Sequence, residues 1–139
     1  MGHAIDAKEA VRRELDVLNT QDVEGVLSFY TDDVVFVDVS LPDPVIGKPA
    51  MREFMRALYA AFPDAHAVPR TIFGEGFLVA AEYELVGTHL GSMDGEQPTG
   101  KVFRVPAVSV YEYDGELLTR ETFYWDSASM RNQLGLPAH

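Results

Sequence analysis

The chain has 139 residues, enough for one domain with its own hydrophobic core, and we expect that domain to span residues 1–139. Its 22 acidic and 11 basic residues give a formal net charge of −11, which disfavours binding to nucleic acid and to anionic membranes. The absence of cysteine excludes disulfides, thiolate metal sites and a cysteine nucleophile. The sequence has no secretory signal pattern and no apolar run long enough to cross a bilayer, so we expect a cytoplasmic protein.

The first segment has the apolar spacing of an amphipathic helix. Residues 7–18 place most of their apolar side chains on one stripe, which also holds Glu14. Asp6 is suited to cap the start of this helix. Asp22 is suited to cap a second, shorter helix over residues 23–30.

The next segment is typical of a buried strand, but an acid interrupts it. Residues 34–39 read VVFVDV, in which Asp38 is the acid. Residues 40–48 contain two prolines and a glycine and are predicted to form a loop. Pro49 suits the first position of a third helix, whose apolar face continues as far as Phe62.

Beyond this helix the apolar period changes from helical to two, which is typical of strands. Four antiparallel strands are predicted, over residues 65–73, 77–87, 101–113 and 116–125. A short closing helix or coil is predicted over residues 126–135. Helices followed by hairpin-linked strands favour an α+β domain, with the helices on one face of a curved sheet.

Two stretches of the chain resemble known families. LNTQDVEGVLSFYTDD at residues 18–33, with Val37-Asp38 and Gly47 after it, resembles the N-terminal half of the ketosteroid isomerase and nuclear transport factor 2-like superfamily. GTHLGSMDGEQPTG at residues 87–100, followed by Tyr124-Trp125-Asp126 and Gln133-Leu134-Gly135, resembles the SnoaL-like polyketide cyclase family. Together the two stretches extend over nearly the whole chain.

The resemblance implies a cone-shaped, curved antiparallel sheet packed by three N-terminal helices, the cystatin-like α+β cone. Such a cone surrounds a hydrophobic pocket, and the loop at residues 87–100 would lie at its rim. An exposed sheet face on such a cone is usually covered by a partner, so we expect a homodimer. The expected ligand is a small hydrophobic molecule that contains a carbonyl group.

Asp38 is the first candidate for catalysis. It lies in an apolar strand, where a carboxylate is costly unless it is paired or faces a cavity. The resemblance implies that it stands where ketosteroid isomerases place their proton-abstracting carboxylate. A carboxylate in an apolar pocket suits removal of a proton next to a carbonyl group. The alternative is an acid at the end of the strand that points to water or caps the following loop.

His89 and Glu121 are the other two candidates for catalysis. His89 matches the histidine of the Gly-Thr-His pattern and would move protons or bind a carbonyl at the rim, or else it organises a turn. The ring-closing cyclases carry an acid-base aspartate on the last strand. Here Phe123 holds that position, and Glu121 lies on the same face one pleat away. The alternative for Glu121 is an exposed acid paired with Arg120 or Arg104.

Four aromatic residues are the candidates for contacts with a substrate, although their spacing is equally typical of a core. They are Phe36, Tyr59, Phe123 and Trp125. The isomerases hold the enolate oxygen with a tyrosine on the first helix and a protonated aspartate on a late strand. Those places hold Glu14 and, roughly, Ser109 here, which argues against steroid isomerisation.

Glu82 and Glu84 share one face of their strand. Limonene epoxide hydrolases, which have the same fold, place an arginine and an aspartate along a comparable strand; this strand has acids but no arginine. Paired carboxylates of this kind can bind a cation or polarise a water molecule, and the alternative is a solvated face. We expect no metal site and no cofactor, because nucleotide-binding motifs are absent and metal-ligand spacing is lacking among the four histidines. These are His3, His66, His89 and His139.

The sequence therefore predicts cofactor-independent acid-base chemistry, a cyclisation or isomerisation, on a small carbonyl or polyketide-like compound. One alternative is a protein that binds a hydrophobic small molecule without turning it over. Two others are an epoxide hydrolase-like enzyme and a structural, dimerising domain with a filled core. A cavity too small for a bicyclic ligand would favour the last of these.

Overall fold

The computed structural model describes residues 5–138, so His3 and His139 lie outside the described residues. Within that range the helices are α1 Ala7–Leu18, α2 Val23–Leu27, α3 Lys48–Ala61 and α4 Ser127–Leu134. The strands are β1 Tyr30–Asp38, β2 Val45–Ile46, β3 His66–Glu75, β4 Leu78–Thr88, β5 Val102–Tyr113 and β6 Leu118–Trp125. No helix in the described range is long and apolar enough to cross a membrane.

Aspartates cap α1 and α2 as the sequence predicts. The carboxylate of Asp6 accepts a hydrogen bond from the backbone of Glu9 at 2.8 Å, and that of Asp22 accepts one from Gly25 at 3.0 Å. The second helix is shorter than predicted, because it ends at Leu27 rather than continuing to residue 30. The backbone beyond it is drawn into the sheet, where Tyr30 pairs with Leu118 of β6.

The first strand is longer than predicted, and the loop after it is partly ordered. β1 begins at Tyr30, four residues before the predicted start at Val34. The predicted loop over residues 40–48 contains β2, which pairs antiparallel with β1, so that Val35 lies opposite Ile46. This short strand returns the chain to the edge of the sheet, where α3 begins.

The six strands form one sheet in the order β2-β1-β6-β5-β4-β3. The four strands predicted to be antiparallel, β3 to β6, pair antiparallel, as do β1 and β2, whereas β1 and β6 run parallel. The parallel register sets Asp38 beside Phe123 and Phe36 beside Glu121. Paired residues on neighbouring strands point to the same side, so these four side chains share one face.

The predicted fold class is confirmed: an α+β domain with helices packed on a curved, open sheet. The three N-terminal helices are present as expected, with α4 added at the end of the chain. α1 contacts β3 and β4, whereas α3 contacts β1 and β2. Alternate residues of β5, from Phe103 to Tyr113, are buried on the face that the helices cover. The core therefore lies between the sheet and the helices.

The loop over residues 89–101 joins β4 to β5 and rests on the end of α3. The backbone N–H groups of Leu90 and Gly91 both donate to the carbonyl oxygen of Ala61, each at 3.1 Å. A Cβ at Gly91 would overlap the carbonyl oxygen of Ala60, so this approach requires glycine. The loop is a long hairpin connection docked on α3.

Candidate active site

A cavity of about 80 Å³ lies between the sheet and helices α1 to α3. Most of its wall is apolar, and five phenylalanines and one tryptophan contribute to it: Phe36, Phe54, Phe62, Phe103, Phe123 and Trp125. Its polar wall residues are Glu14, Tyr30, Asp38, Tyr83 and Glu121. No lysine, arginine or histidine among residues 5–138 lines it. Three carboxyl groups therefore border a largely apolar cavity without a basic side chain beside them.

Asp38 ends β1 and is buried, with 3% of its surface exposed. Its Oδ1 accepts three hydrogen bonds, from Trp125 Nε1 at 3.0 Å, from the Ser40 backbone at 2.9 Å and from Ser40 Oγ at 2.7 Å. These bonds offset part of the cost of burying the carboxylate and fix its orientation. Its Oδ2 accepts no hydrogen bond from residues 5–138. Asp38 thus caps the loop after β1, as one interpretation predicts, and it also lines the cavity.

Glu121 projects from β6 and is buried at the same cavity. Its Oε1 accepts a hydrogen bond from the Tyr30 hydroxyl at 2.6 Å, and its Oε2 accepts one from Ser109 Oγ at 2.8 Å. The Tyr83 hydroxyl lies 2.8 Å from Ser109 Oγ and continues the network. With both oxygens acting as acceptors, this geometry suits an ionised carboxylate.

Glu14 is a third buried acid, with 1% of its surface exposed, and its Oε1 accepts a hydrogen bond from the Tyr111 hydroxyl at 3.1 Å. Burial raises the pKa of Glu14 well above its usual value, and the nearby charge of Glu121 raises it further. Burial also raises the pKa of Glu121, whereas hydrogen bonds from Tyr30 and Ser109 lower it. The two carboxyl groups therefore titrate as a pair and do not both ionise readily.

The tyrosines of this network remain protonated hydrogen-bond donors. Burial raises the pKa values of Tyr30, Tyr83 and Tyr111, and the charge of Glu121 raises them further. Each hydroxyl therefore keeps its proton at neutral pH and can stabilise a neighbouring negative charge. The network therefore holds both acids of the pair in place, Glu14 on α1 and Glu121 on β6; we call these two residues the acid pair.

The structure brings three of the four predicted aromatic contacts to the cavity. The rings of Phe123 and Trp125 are stacked, with centroids 5.4 Å apart, and the ring of Phe36 lies 6.3 Å from that of Phe123. Tyr59 is not in the wall; it is half-buried on α3, where its hydroxyl donates to the Leu18 carbonyl at 2.8 Å. Its position suits fixing α3 against α1 rather than holding a ligand.

The structure places His89 outside the cavity, although its side chain is fully buried. Its Nδ1 accepts a hydrogen bond from the backbone N–H of Thr99 at 3.2 Å, which ties together the two ends of the loop. Its ring lies 5.5 Å from that of Phe62, and Phe62 does line the cavity. His89 thus packs on Phe62 without lining the cavity itself, which agrees with the interpretation that it organises a turn.

Arginines pair with other acids than Glu121, so the interpretation of Glu121 as an exposed, arginine-paired acid is wrong. Arg104 pairs with Glu84 at 3.3 Å, and Arg120 lies 3.7 Å from Glu112. Glu84 also pairs with Arg70 at 3.1 Å, and Glu82 is exposed. Neither Glu82 nor Glu84 lines the cavity, which agrees with a solvated face rather than an epoxide hydrolase-like arrangement.

Glu14 is the functional candidate that sequence reasoning did not select. The signal was present, because Glu14 interrupts the apolar stripe of α1 in the way that Asp38 interrupts β1. The sequence alone did not reveal its partners, since Glu121 and Tyr111 lie far along the chain. Only the packing of α1 against the sheet brings the two glutamates into one network.

The fold and the cavity define an α+β cone with buried acids on its inner face. Residues 11–121 match the family described as the SnoaL-like domain, and the chain therefore belongs to this family, within the nuclear transport factor 2-like superfamily. Comparison with curated proteins finds no match.

Solved structures share the fold at low sequence identity. A candidate SnoaL-like polyketide cyclase from Jannaschia sp. CCS1 is 20% identical with a TM-score of 0.85, and the match covers 99% of each chain. AclR, a candidate hydroxylase from Streptomyces galilaeus, is 22% identical with a TM-score of 0.82, over 95% of this chain and 87% of that one. A cystatin-fold protein from Novosphingobium aromaticivorans is 26% identical with a TM-score of 0.69, over 86% of this chain and 98% of that one. Proteins with this fold are thus named for more than one activity.

Proposed function

We propose that this protein is a cofactor-independent enzyme that moves a proton next to a carbonyl group, in an isomerisation or cyclisation. The observation that carries the proposal is Asp38, a buried carboxylate fixed through Oδ1, whose Oδ2 accepts no hydrogen bond from the described residues and which borders an apolar cavity. Membership of the SnoaL-like family supports a cyclase-type or isomerase-type function.

In the proposed reaction Asp38 acts as the base. Oδ2 takes a proton from the carbon next to the carbonyl, and the electron pair of that C–H bond forms the double bond of an enolate. The negative charge moves to the carbonyl oxygen, and the proton then returns to the same or another carbon. Phe36, Phe123 and Trp125 would hold the carbon skeleton and exclude water. Glu121 would assist through the hydroxyl network rather than by direct proton removal, since both its oxygens already accept hydrogen bonds.

The size of the cavity restricts the substrate. A dry engineered cavity of about 150 Å³ binds benzene, and this cavity, at about 80 Å³, is about half that size. A small ketone or enone fits such a space, whereas a bicyclic polyketide requires side chains at the wall to move. We therefore propose small carbonyl compounds as the first substrate class to test.

Proton exchange in D₂O tests this proposal without knowledge of the physiological substrate. The protein is incubated with small ketones and enones, from acetone and butanone to cyclopentenone, and deuterium incorporation next to the carbonyl is followed by NMR. We expect exchange above the buffer rate for at least one compound. The same compound should change the fluorescence of Trp125, the single tryptophan, which donates to Asp38.

The second candidate function is that of a structural domain, which the small cavity volume favours. It predicts that no compound of the panel alters Trp125 fluorescence or exchanges its protons faster than in buffer. A fluorescence change without exchange would instead indicate binding without turnover. Either result would contradict the proposed enzyme.

We also propose that two copies of the chain pair through the outer face of the sheet. The strand register aligns Phe73, Ala80 and Val110 in one row on that face, and the next row holds Val108 and Tyr124 together with the exposed Glu82. Phe73 is 63% exposed and Tyr124 49%. Apolar side chains in adjacent rows form a patch of the kind that a second copy covers in a two-fold interface.

Light scattering coupled to size exclusion tests this dimer. We expect the wild-type protein to elute with twice the monomer mass, and Val110→Glu to elute as a folded monomer because it places a charge in the middle of the patch. Leu90→Glu is the matched control, since Leu90 is also an exposed apolar residue, 58% against 38% for Val110, but lies on the loop. A wild-type protein that stays monomeric at high concentration contradicts the dimer.

A further inference from the structure

The cavity collects negative charge that the described chain does not neutralise. Glu14, Asp38 and Glu121 line it and are at most 7% exposed. None of the three belongs to an ion pair among residues 5–138, where arginines and lysines pair with other acids. Even Arg131, which is buried, pairs with Glu96. Buried carboxylates without a counter-charge are costly, so the missing positive charge points to a ligand that brings it.

The rest of the wall suits an organic cation rather than a metal ion. The stacked rings of Phe123 and Trp125 line the cavity together with Phe36. The faces of aromatic rings attract ammonium groups, whereas Mg²⁺ and Ca²⁺ require a shell of oxygen ligands. No group of three acids or histidines within residues 5–138 is placed to hold a metal ion. An ammonium group on a short carbon chain matches both the charge and the apolar surface of the wall.

The proposed reaction also needs a positive charge in this cavity. When Asp38 removes a proton from carbon, negative charge develops on the carbonyl oxygen, beside a wall that already contains Glu14 and Glu121. No lysine, arginine or histidine of the described chain lines the cavity to offset this charge. The enolate of an uncharged ketone therefore forms next to like charges, whereas the enolate of a ketone that carries an ammonium group has no net charge.

We propose that the cavity selects a small ketone that carries an ammonium group, which the acid pair and the aromatic wall hold together. This inference rests on the proposed function and names its substrate class. The oxygens of the acid pair accept three hydrogen bonds, from Tyr30, Ser109 and Tyr111, and a carboxylate offers about four acceptor sites. Lone pairs therefore remain for the ammonium N–H groups.

The proton transfer on such a substrate is balanced within the cavity. Asp38 Oδ2 takes a proton from the carbon next to the carbonyl, and the electron pair of that C–H bond forms the C=C bond of the enolate. The π electron pair of the carbonyl moves to its oxygen, where the ammonium charge of the same molecule offsets it. Asp38 then returns a proton to carbon, so the ketone forms again and no co-reactant is consumed.

Aminoacetone and butanone test this proposal as a matched pair of ligands. They have the same shape, since an ammonium group replaces a methyl group, and aminoacetone is protonated at about pH 6. Binding is followed through the fluorescence of Trp125 in about 0.15 M salt, which screens exposed charges. We expect aminoacetone to bind about 10- to 100-fold more tightly than butanone, the usual effect of one hydrogen bond between charged groups. Equal affinities, or tighter binding of butanone, would overturn the proposal.

Removing charge inside and outside the cavity locates the attraction. Glu14→Gln/Glu121→Gln removes both carboxyl groups, whereas after a single substitution the remaining acid ionises more readily. We expect the preference for aminoacetone to fall about 10-fold in this double variant, with little change for butanone. Glu75→Gln/Glu116→Gln is the matched control, since both residues are exposed and neither lines the cavity. An equal fall in the control would assign the attraction to the net charge of −11 and overturn the cavity site.

Deuterium incorporation separates this proposal from the proposed function. Each rate is divided by the rate in buffer, because an ammonium group itself acidifies the neighbouring carbon, and we expect the larger ratio for aminoacetone. Tighter binding of aminoacetone without exchange of either ketone would refute the enzyme and leave the ammonium site standing. An equal or larger ratio for butanone would leave the enzyme standing and refute the ammonium ketone as its substrate. If the double variant of the acid pair fails to fold, the two ligands on the wild-type protein still decide the proposal.

Discussion

Replacing Asp38 by asparagine is expected to lower the rate of carbonyl proton exchange by about 10²–10⁴-fold, the usual contribution of a positioned general base. The amide oxygen can still accept hydrogen bonds from Trp125 and Ser40, so the geometry of the site is retained. What is lost is the basicity of the group, because an amide does not take up a proton near neutral pH. The measurement is deuterium incorporation into the ketone that the wild-type protein exchanges fastest.

Asp33→Asn is the matched control, since Asp33 lies on the same strand but is exposed to solvent. It should exchange protons at the wild-type rate. The Asp38→Asn protein should stay folded, at a cost of about 1 kcal/mol, because hydrogen bonds to a neutral acceptor are weaker than those to a charged one. Wild-type exchange by a folded Asp38→Asn variant would remove Asp38 from the mechanism.

Features set by neighbouring residues could be predicted from the sequence. Asp6 and Asp22 cap the helices that follow them, because a cap acts on a backbone N–H group three residues away. Asp126 caps α4 in the same way, at 2.9 Å from the backbone of Ser129. The shared face of Glu121, Phe123 and Trp125 also followed from strand alternation alone, and all three line the cavity.

Features set by distant partners could not be predicted in this way. Tyr30 looked like the end of a helix, but its pairing with Leu118 places it in the sheet and its hydroxyl beside Glu121. His89 carries a family motif, yet the docking of its loop on α3 places the ring behind Phe62. The partner of a buried acid depends on how the helices pack on the sheet, which the periodicity of the sequence does not specify.

Removing the hydroxyl of Tyr30, in Tyr30→Phe, is expected to destabilise the fold by about 1.5–3 kcal/mol near neutral pH, the usual effect of losing a hydrogen bond to a charged group. The ring still packs in the core, whereas Glu121 Oε1 loses its donor at 2.6 Å. The measurement is the free energy of unfolding from chemical denaturation.

The pH dependence of this loss identifies its cause. Burial raises the pKa values of Glu14 and Glu121 in the folded state, so their contribution to stability is complete below the unfolded pKa and declines as the pH rises through the folded value. The Tyr30 hydroxyl lowers the pKa of Glu121, which means that it stabilises the ionised form most. The destabilisation by Tyr30→Phe should therefore grow from about pH 5 to about pH 8.

Tyr113→Phe is the matched control for this prediction. The Tyr113 hydroxyl donates to the backbone carbonyl of Ile5 at 3.0 Å, so its loss should cost about 0.5–1.5 kcal/mol at every pH in that range. A second test follows from Glu121→Gln, which replaces the charged acceptor by a neutral one and should reduce the cost of Tyr30→Phe in the double variant. If Tyr30→Phe costs the same at both pH values and in the Glu121→Gln background, the hydroxyl does not stabilise a buried carboxylate, and the acid pair cannot be arranged as the hydrogen bonds indicate.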